Sequence, residues 1–222
     1  TDANNHKIRK IVISTGVVTT FAGSSGGFAD GTGTAAKFNG PRGITTDGTN
    51  LYVTDANNHK IRKIVISTGV VTTVAGSGSQ GSTDGTGTSA TFNKPWGITT
   101  DGTNLYVSGF ANHLIRKIVI STGAVTTLAG SAGSTGSTNG TGTSATFNQP
   151  NGITTDGTNL YVADFSNALI RKIALRGTLT ADVNLHNLDD DTNATINLVS
   201  SDTGEATVSP ATLTFTEGNW NT

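Results

Sequence analysis

Cysteine and methionine are both missing from the 222 residues, which excludes a disulfide framework and any metal site built on thiolates. No apolar run approaches the roughly 18 residues that a membrane-spanning helix needs. Charge is scarce too. Asp, Glu, Lys and Arg make up 13% of the chain, against about a quarter in an average domain, so a long charged helix or a coiled coil is not expected. No glutamate occurs before Glu205, and aromatics are 6%. In their place stand 29 Gly and 41 Thr, the composition of short strands and turns. The first residue is Thr1 and no charged-then-apolar leader follows it, which reads as a processed chain or an excised fragment.

Self-similarity is the strongest positive signal. The string IRKI falls at Ile8–Ile11, Ile61–Ile64, Ile115–Ile118 and Ile170–Ile173, spaced by 53, 54 and 55 residues. GITTDGTNLYV begins at Gly43, Gly97 and Gly152, and FN-x-P-x-G at Phe38, Phe92 and Phe147. Within one unit the local signals are all strand and turn. Gly43–Thr46 is short and β-branched, Asp47-Gly48 is a tight-turn dipeptide, and Leu51–Val53 is a second strand. Lys60–Ile66 and Val70–Ala75 complete the set, separated by Thr68-Gly69. Four short antiparallel strands per unit of about 40–55 residues predict an all-β fold of propeller blades. A solenoid is the alternative, but solenoid coils are usually shorter. No 3.6-residue period supports helices.

These residues resemble a known repeat. P-x-GI-x-x-D-x-x-x-LYV-x-D-x-x-N-H-x-IRK is similar to the NHL repeat, a blade type of β-propellers, with its core at Asn58-His59-Lys60-Ile61. The match covers about residues 1–176. It implies a six-bladed propeller, mostly serving as a binding module for protein or RNA, with some lyases and hydrolases on similar folds. Two copies depart from the pattern. Ala168 stands in the column of His6, His59 and His113, and Gly109 in that of Asp2, Asp55 and Asp164. A six-bladed ring at this spacing needs about 324 residues. The expectation is therefore an open arc of about three blades plus a partial one, with exposed blade faces that favour association.

From Gly177 the repeat stops. All 14 basic residues lie at or before Arg176, with eight carboxylates, while 177–222 carries seven carboxylates and no base. A body of +6 and a tail of −7 mark a boundary, giving 1–176 as propeller blades and 177–222 as a second module. The tail alternates at Ala194–Val199 and Thr212–Thr216, as strands do. SSDTGEATVSPATLTFTEGNWNT resembles Calx-β or immunoglobulin-like modules of large bacterial surface proteins, here too short for a whole sandwich. Asp189, Asp190 and Asp191 are oxygen donors of the kind that suit calcium, and the resembled modules sometimes bind it. A solvated acidic linker is the plainer reading.

Repeated columns separate building residues from functional ones. The body carboxylates fall in three columns: Asp2, Asp55 and Asp164; Asp30 and Asp84, with Asn139 in the third copy; and Asp47, Asp101 and Asp156. None is individual, so they read as turn-bonding residues, and nothing supplies the unlike carboxylate pair of acid–base catalysis. The histidines share one column, where a metal site is conceivable but less expected. There is no H-E-x-x-H, G-x-S-x-G or Walker loop. Arg9, Arg62, Arg116 and Arg171 sit mid-strand in every copy and read as stitches between blades, with the Asp column as their expected partner. The rival reading is a basic band for a polyanion, but +6 is mild and nucleic-acid binding wants a denser patch with aromatics beside it.

The positions that vary between copies point to a binding face. Between Pro and Gly stand Arg42, Trp96 and Asn151. Two places earlier are Gly40, Lys94 and Gln149, and one loop column reads Ala56, Phe110, Phe165. In an antiparallel blade the start of the first strand and the second-to-third loop share one end. Arg42, Lys94, Trp96, Phe110, Asn151 and Phe165 are thus expected on one face, with the composition of a recognition surface. The competing reading packs Trp96 and Phe110 between blades. The function expected is non-catalytic binding of a protein or glycan, without cofactor, as part of a larger exported or cell-surface bacterial protein. The alternatives are a piece of a propeller lyase or hydrolase with catalytic groups in other blades, and binding of RNA or another polyanion.

Overall fold

The computed structural model describes residues 1–175 and two later strands, Ala194–Asn197 and Thr212–Phe215. The chain divides into two compact units, Thr1–Ile173 and Ala174–Thr222. In the second unit the two strands just named pair antiparallel, Ala194 opposite Phe215. Asp189, Asp190 and Asp191 lie outside the described residues.

The first unit is a series of antiparallel sheets. β1 (Ile8–Ile11) and β2 (Val18–Ala22) pair alone. After β3 (Gly31–Thr32) come β4 (Pro41–Thr46), β5 (Asn50–Asp55), β6 (Lys60–Val65) and β7 (Val70–Ala75), in the order β3-β7-β6-β5-β4. The next blade repeats this with β8 (Gly85–Thr86), β9 (Pro95–Thr100), β10 (Asn104–Gly109), β11 (Leu114–Val119) and β12 (Ala124–Ala129). β13 (Pro150–Thr155), β14 (Asn159–Asp164) and β15 (Leu169–Ala174) form a three-stranded sheet. The four-strand blade expected from the repeat is thus correct for β4–β7 and β9–β12. Each gains a fifth, two-residue strand from the connector before it. Glycine and threonine hid these strands in what reads as a flexible loop.

Within each blade the first turn is built by one aspartate. Asp47 Oδ1 accepts the amides of Thr49 and Asn50, and its Oδ2 accepts the Tyr52 hydroxyl at 2.9 Å. Desolvation works against ionisation of Asp47, but these bonds and the Asn50 amide outweigh it and hold the group at about 2. Burial and Asp47 together push the Tyr52 hydroxyl up to about 12. Asp101 and Asp156 repeat the turn.

Strand alternation then divides β6 between two neighbours. Ile61 faces forward into a cluster with Phe92, Ala90, Leu105 and Val107, and Ile64 faces back into one with Phe38, Ile8, Ala22 and Val53. The phenylalanines come from the connectors, which wedge between successive blades. Burying each one contributes about 1.5–3 kcal/mol. Ile170 holds the place of Ile61 and Ile115 in the last blade; those two are fully buried, whereas Ile170 is 74% exposed.

Arg62 fastens the wedge and is itself wholly buried. Its Nη1 donates to the Lys37 carbonyl and to Asp55 (2.9 Å), and its Nη2 to the Ala29 carbonyl and to Asp30 (2.7 Å). The guanidinium lies 5.1 Å from the Phe38 ring centroid. Arg116 repeats the pattern with Thr91, Thr83, Asp84 and Phe92, and Arg171 with Thr146, Thr138, Asp164, Asn139 and Phe147. The Asp30 column therefore serves the arginine rather than a turn. Arg9 pairs nearer the surface with Asp2 at 3.3 Å.

Two substitutions read out this clamp. Arg62→Ala leaves Asp55 buried without its cation and should cost about 3–5 kcal/mol in chemical denaturation. Gly109→Asp should do the reverse. At Gly109 an added Cβ collides with the Asn112 amide oxygen, the end of a side chain that can turn and an oxygen that has no partner, and otherwise lies 3.1 Å from Asn112 Cγ and 3.4 Å from the Leu114 carbonyl oxygen. Asn58, the counterpart of Asn112, donates to Asp55 at 2.8 Å. An aspartate at 109, with Asn112 turned likewise, gives Arg116 its second carboxylate and should add about 1 kcal/mol, a melting temperature about 2–4 °C higher.

Candidate functional site

The end of the blades where β4, β9 and β13 begin is held by two sets of bonds that cross between blades. The loop after β5 forms a 3-10 turn, Ala56–Asn58, and closes on His59 in the left-handed region at φ +55°. That conformation turns the imidazole toward the next blade, where Nδ1 accepts the Lys94 amide at 3.1 Å. His6 accepts from Gly40 at 3.2 Å and His113 from Gln149 at 3.1 Å. Lys94 and Gln149 are also left-handed, a local strain that such surroundings must hold in place. The second set uses hydroxyls. Thr54 Oγ1 accepts the Gly43 amide and donates to the Trp96 carbonyl at 2.6 Å, and Ser108 does the same for Gly97 and Asn151. Only glycine fits between. A Cβ at Gly43 would lie 2.6 Å from the Trp96 carbonyl oxygen, and one at Gly97 would collide with that of Asn151.

These latches place the varying side chains. The Arg42 guanidinium lies over the Trp96 ring, 4.2 Å from its centroid, and Phe110 stacks on Trp96 at 4.7 Å with 29° between planes. The indole is thus in contact with both a cation and a ring and is half-buried, while Arg42 is exposed. The Phe110 amide donates to the Lys94 carbonyl, which ties the loop to the start of β9. Asn151 and Phe165 take the places of Trp96 and Phe110 in the last described blade. Phe165 is 61% exposed, and Ser166 Oγ donates to Gln149 Oε1 at 2.6 Å beside it. Arg42, Trp96 and Phe110 are in contact, Lys94 stands exposed one residue before β9, and Asn151 and Phe165 stand one blade on.

The sequence reading missed the latches. His6, His59 and His113 stand at one position relative to the variable column of the next blade, and Thr54 and Ser108 share a hydroxyl at another. That regularity was readable, but its direction between blades was not. Among the described residues no group of three or more His, Asp or Glu could hold a metal ion.

The histidine latches make stability depend on pH. Burial holds the His59 and His113 imidazoles below the ordinary value, with Lys94 adding to this at His59 and Asp164 opposing it at His113. A ring that accepts an amide proton must be neutral at Nδ1. The depressed folded values mean the unfolded chain binds more protons, so stability is full above about pH 6.5 and falls as pH drops through the folded values. The melting temperature should decline between pH 7 and pH 5, and His59→Asn with His113→Asn should flatten that slope. A slope unchanged in the double variant would exclude the latches as its source.

No family model matches the chain. It is 28% identical over 201 residues to NHL repeat-containing protein 2 of Gallus gallus, covering 79% of this chain and 28% of that protein. A protein of unknown function from Bacteroides thetaiotaomicron superposes with a TM-score of 0.64 at 28% identity, over 77% of this chain and 42% of the other. An auxiliary nutrient binding protein from Bacteroides ovatus does so with a TM-score of 0.61 at 25% identity, over 78% and 44%. The chain spans less than half the length of each of these proteins. Together with the repeated sheets and their wedges, these similarities support an NHL-type β-propeller architecture for the first unit.

Proposed function

We propose that these blades form a non-catalytic binding module of a larger exported, cell-surface protein, and that it recognises a protein or glycan through the end carrying Arg42, Lys94, Trp96, Phe110, Asn151 and Phe165. One observation carries this reading. Three positions that differ between blades meet at one end, where Arg42, Trp96 and Phe110 form a stack. Ordered aromatics and arginine at a partly exposed centre are the usual anchors of recognition.

The rest of the chemistry supports binding over catalysis. Each of the eight carboxylates between Thr1 and Leu175 accepts a hydrogen bond within its own or a neighbouring turn, or from a wedge-holding arginine. The three histidines of the same stretch are spent on the latches. A general acid or base must be free to exchange its proton with a substrate, and these groups are committed to holding the backbone. The similarity to an auxiliary nutrient binding protein from Bacteroides ovatus points the same way.

The test is a screen of the purified protein against neutral and acidic polysaccharides and purified extracellular proteins, repeated with variants on a bound ligand. Trp96→Ala should weaken binding by more than about 1 kcal/mol, roughly fivefold, with a small shift in melting temperature. Ser67→Ala, on the turn at the opposite end, should leave binding unchanged. A loss of about 3–5 kcal/mol of stability in Trp96→Ala would instead make the indole a core residue.

A further inference from the structure

We infer that the blade of β9–β12 carries a binding site for a small carboxylate of one or two carbons, held by Arg116, Asn112 and the Asn93 amide where the sister blades place the carboxyl group of an aspartate. The inference is independent of the recognition face proposed above.

The sister blades show what these donors hold. Asp55 and Asp164 are wholly buried, and each meets the same three partners. One carboxylate oxygen accepts the amide of Asn39 or Asn148 at 2.7 Å. The other accepts Nη1 of Arg62 or Arg171 at 2.9 Å and Nδ2 of Asn58 or Asn167 at 2.8 Å. The three donors converge on a planar group with two acceptors, and its charge makes the bonds stronger than neutral ones. The asparagine NH2 serves twice, since it also donates to the connector carbonyl of Gly27 or Gly136.

In the blade of β9–β12 the donors remain and the aspartate does not. Gly109 stands opposite Pro95 as Asp55 stands opposite Pro41, and Arg116 opposite Val107 as Arg62 opposite Val53. Arg116 is wholly buried, yet its carboxylate partner among the described residues is Asp84, whose side chain is half-exposed. Its Nη1 keeps the Thr91 carbonyl alone. The Asn93 amide, counterpart of those of Asn39 and Asn148, has no partner among the described residues. The loop changes too: the His113 amide reaches back to the Gly109 carbonyl, where the sister loops close on those of Ala56 and Phe165. Asn112 is the clearest sign. It is 7% exposed, its Oδ1 crowds the place of a Gly109 Cβ, and that oxygen is buried without a hydrogen bond, a costly state for a polar atom.

A turn of the Asn112 side chain completes the site. With its Nδ2 set as in Asn58, it keeps the Gly81 carbonyl and offers its second hydrogen to the place that Oδ1 now crowds. A carboxylate there takes Arg116 and Asn112 on one oxygen and the Asn93 amide on the other. Size selects the ligand. It stands in for a CH2 and a COO− group, and beyond Asn112 the next atom to a Gly109 Cβ is the Leu114 carbonyl oxygen, in ordinary contact at 3.4 Å, so formate or acetate fits and a long acid does not. Charge selects it as well. Burial holds the Arg116 guanidinium below its ordinary value and Asp84 opposes this, and a second anion adds the compensation that a buried cation needs and neutral water lacks. Gly109 directly precedes Phe110, and Asn93 directly precedes Lys94. The carboxylate therefore joins the two segments that carry this side of the Trp96 stack.

The experiment is thermal melting of the whole 222-residue protein in sodium formate, sodium chloride and sodium gluconate at equal ionic strength, alongside Gly109→Asp. Gluconate is a carboxylate of the same charge that is too large for the site. Expected is a melting temperature about 2–4 °C higher in about 0.5 M formate than in gluconate, rising with concentration as for a ligand that binds the folded state alone. Gly109→Asp carries its own carboxylate and should show no such difference. In 1H–15N spectra a formate titration should move the Asn93 amide signal of the unaltered protein, and Gly109→Asp should hold that signal fixed. Equal melting in the three salts would overturn the site. A rise in chloride as large as that in formate would overturn the carboxylate in favour of a spherical anion. A formate effect that persists in Gly109→Asp would overturn the location. If Gly109→Asp does not fold, the Asn93 amide decides: movement in formate and not in gluconate upholds the site, and no movement overturns it.

Discussion

One buried cation holds each blade to the connector that separates it from its neighbour. Arg62 reaches from the third strand of its blade to the carbonyls of Ala29 and Lys37 and to two carboxylates, across a connector made largely of Gly, Ser, Thr and Ala. Such a connector has little apolar surface and a high conformational entropy to lose. Phe38 gives it one hydrophobic anchor, and the arginine fixes the backbone on either side of that ring. Without the clamp the wedge has no reason to lie in one place, and the clusters in front of and behind the blade lose their shared wall. A chain with only 13% charged residues concentrates its charge where it organises the backbone.

The clamp works on the outer part of the blade, and the histidine and hydroxyl latches on the inner end. The latches cross from one blade to the next and the clamp ties a blade to the connector before it, which makes the stability of this unit a sum of blade and interface contributions. The latches have a second consequence. The amide that His59 receives belongs to Lys94, and the carbonyl that Thr54 binds belongs to Trp96. The backbone at the variable position is thus fixed by a histidine and a hydroxyl that blades followed by another blade keep, as Thr54 with His59 and Ser108 with His113. The side chain there can change from Arg to Trp to Asn without moving the strand that carries it.

How far this was legible in the sequence follows from the range of each interaction. The strands β4, β5, β6 and β7 were readable because their turns are local: Asp47 bonds atoms two and three residues away. The arginine role was readable in outline because the column repeats. A bond to an Asp column was expected with it, and Asp55 supplies one; that Asp30 supplies another was not readable, since it lies 32 residues before Arg62 and nothing in the sequence distinguishes it from a turn aspartate. β3 and β8 escaped notice for the same reason: two residues, Gly-Thr, pair with a strand some forty residues later. The grouping of Arg42, Trp96 and Phe110 at one end followed from strand direction alone. Their stacking depends on the rotation between neighbouring blades, a quantity that no single blade encodes. The histidines show the limit most clearly. A repeated His is compatible with a metal, a turn or a surface position, and only the left-handed backbone at φ +55° aims its ring at the next blade.

The same arrangement separates charge along the blades. Asp47, Asp101 and Asp156 close the turns at one end, ionised and held by their own turn amides, with Tyr52, Tyr106 and Tyr161 donating to them. At the other end the carboxylates are buried or paired with arginine, and Arg42 and Lys94 are among the charges left toward solvent. Neither end is charged heavily enough for a polyanion to bind by electrostatics alone. Long-range fields act on encounter before any contact forms, so opposed signs at two ends matter to approach rather than to affinity. The turn aspartates are needed for the hairpins whatever the ligand, so the negative end is a fixed by-product of folding. A cation outside the clamp is not needed for folding, and Arg42 and Lys94 are two such cations, on the variable columns that the latches hold still.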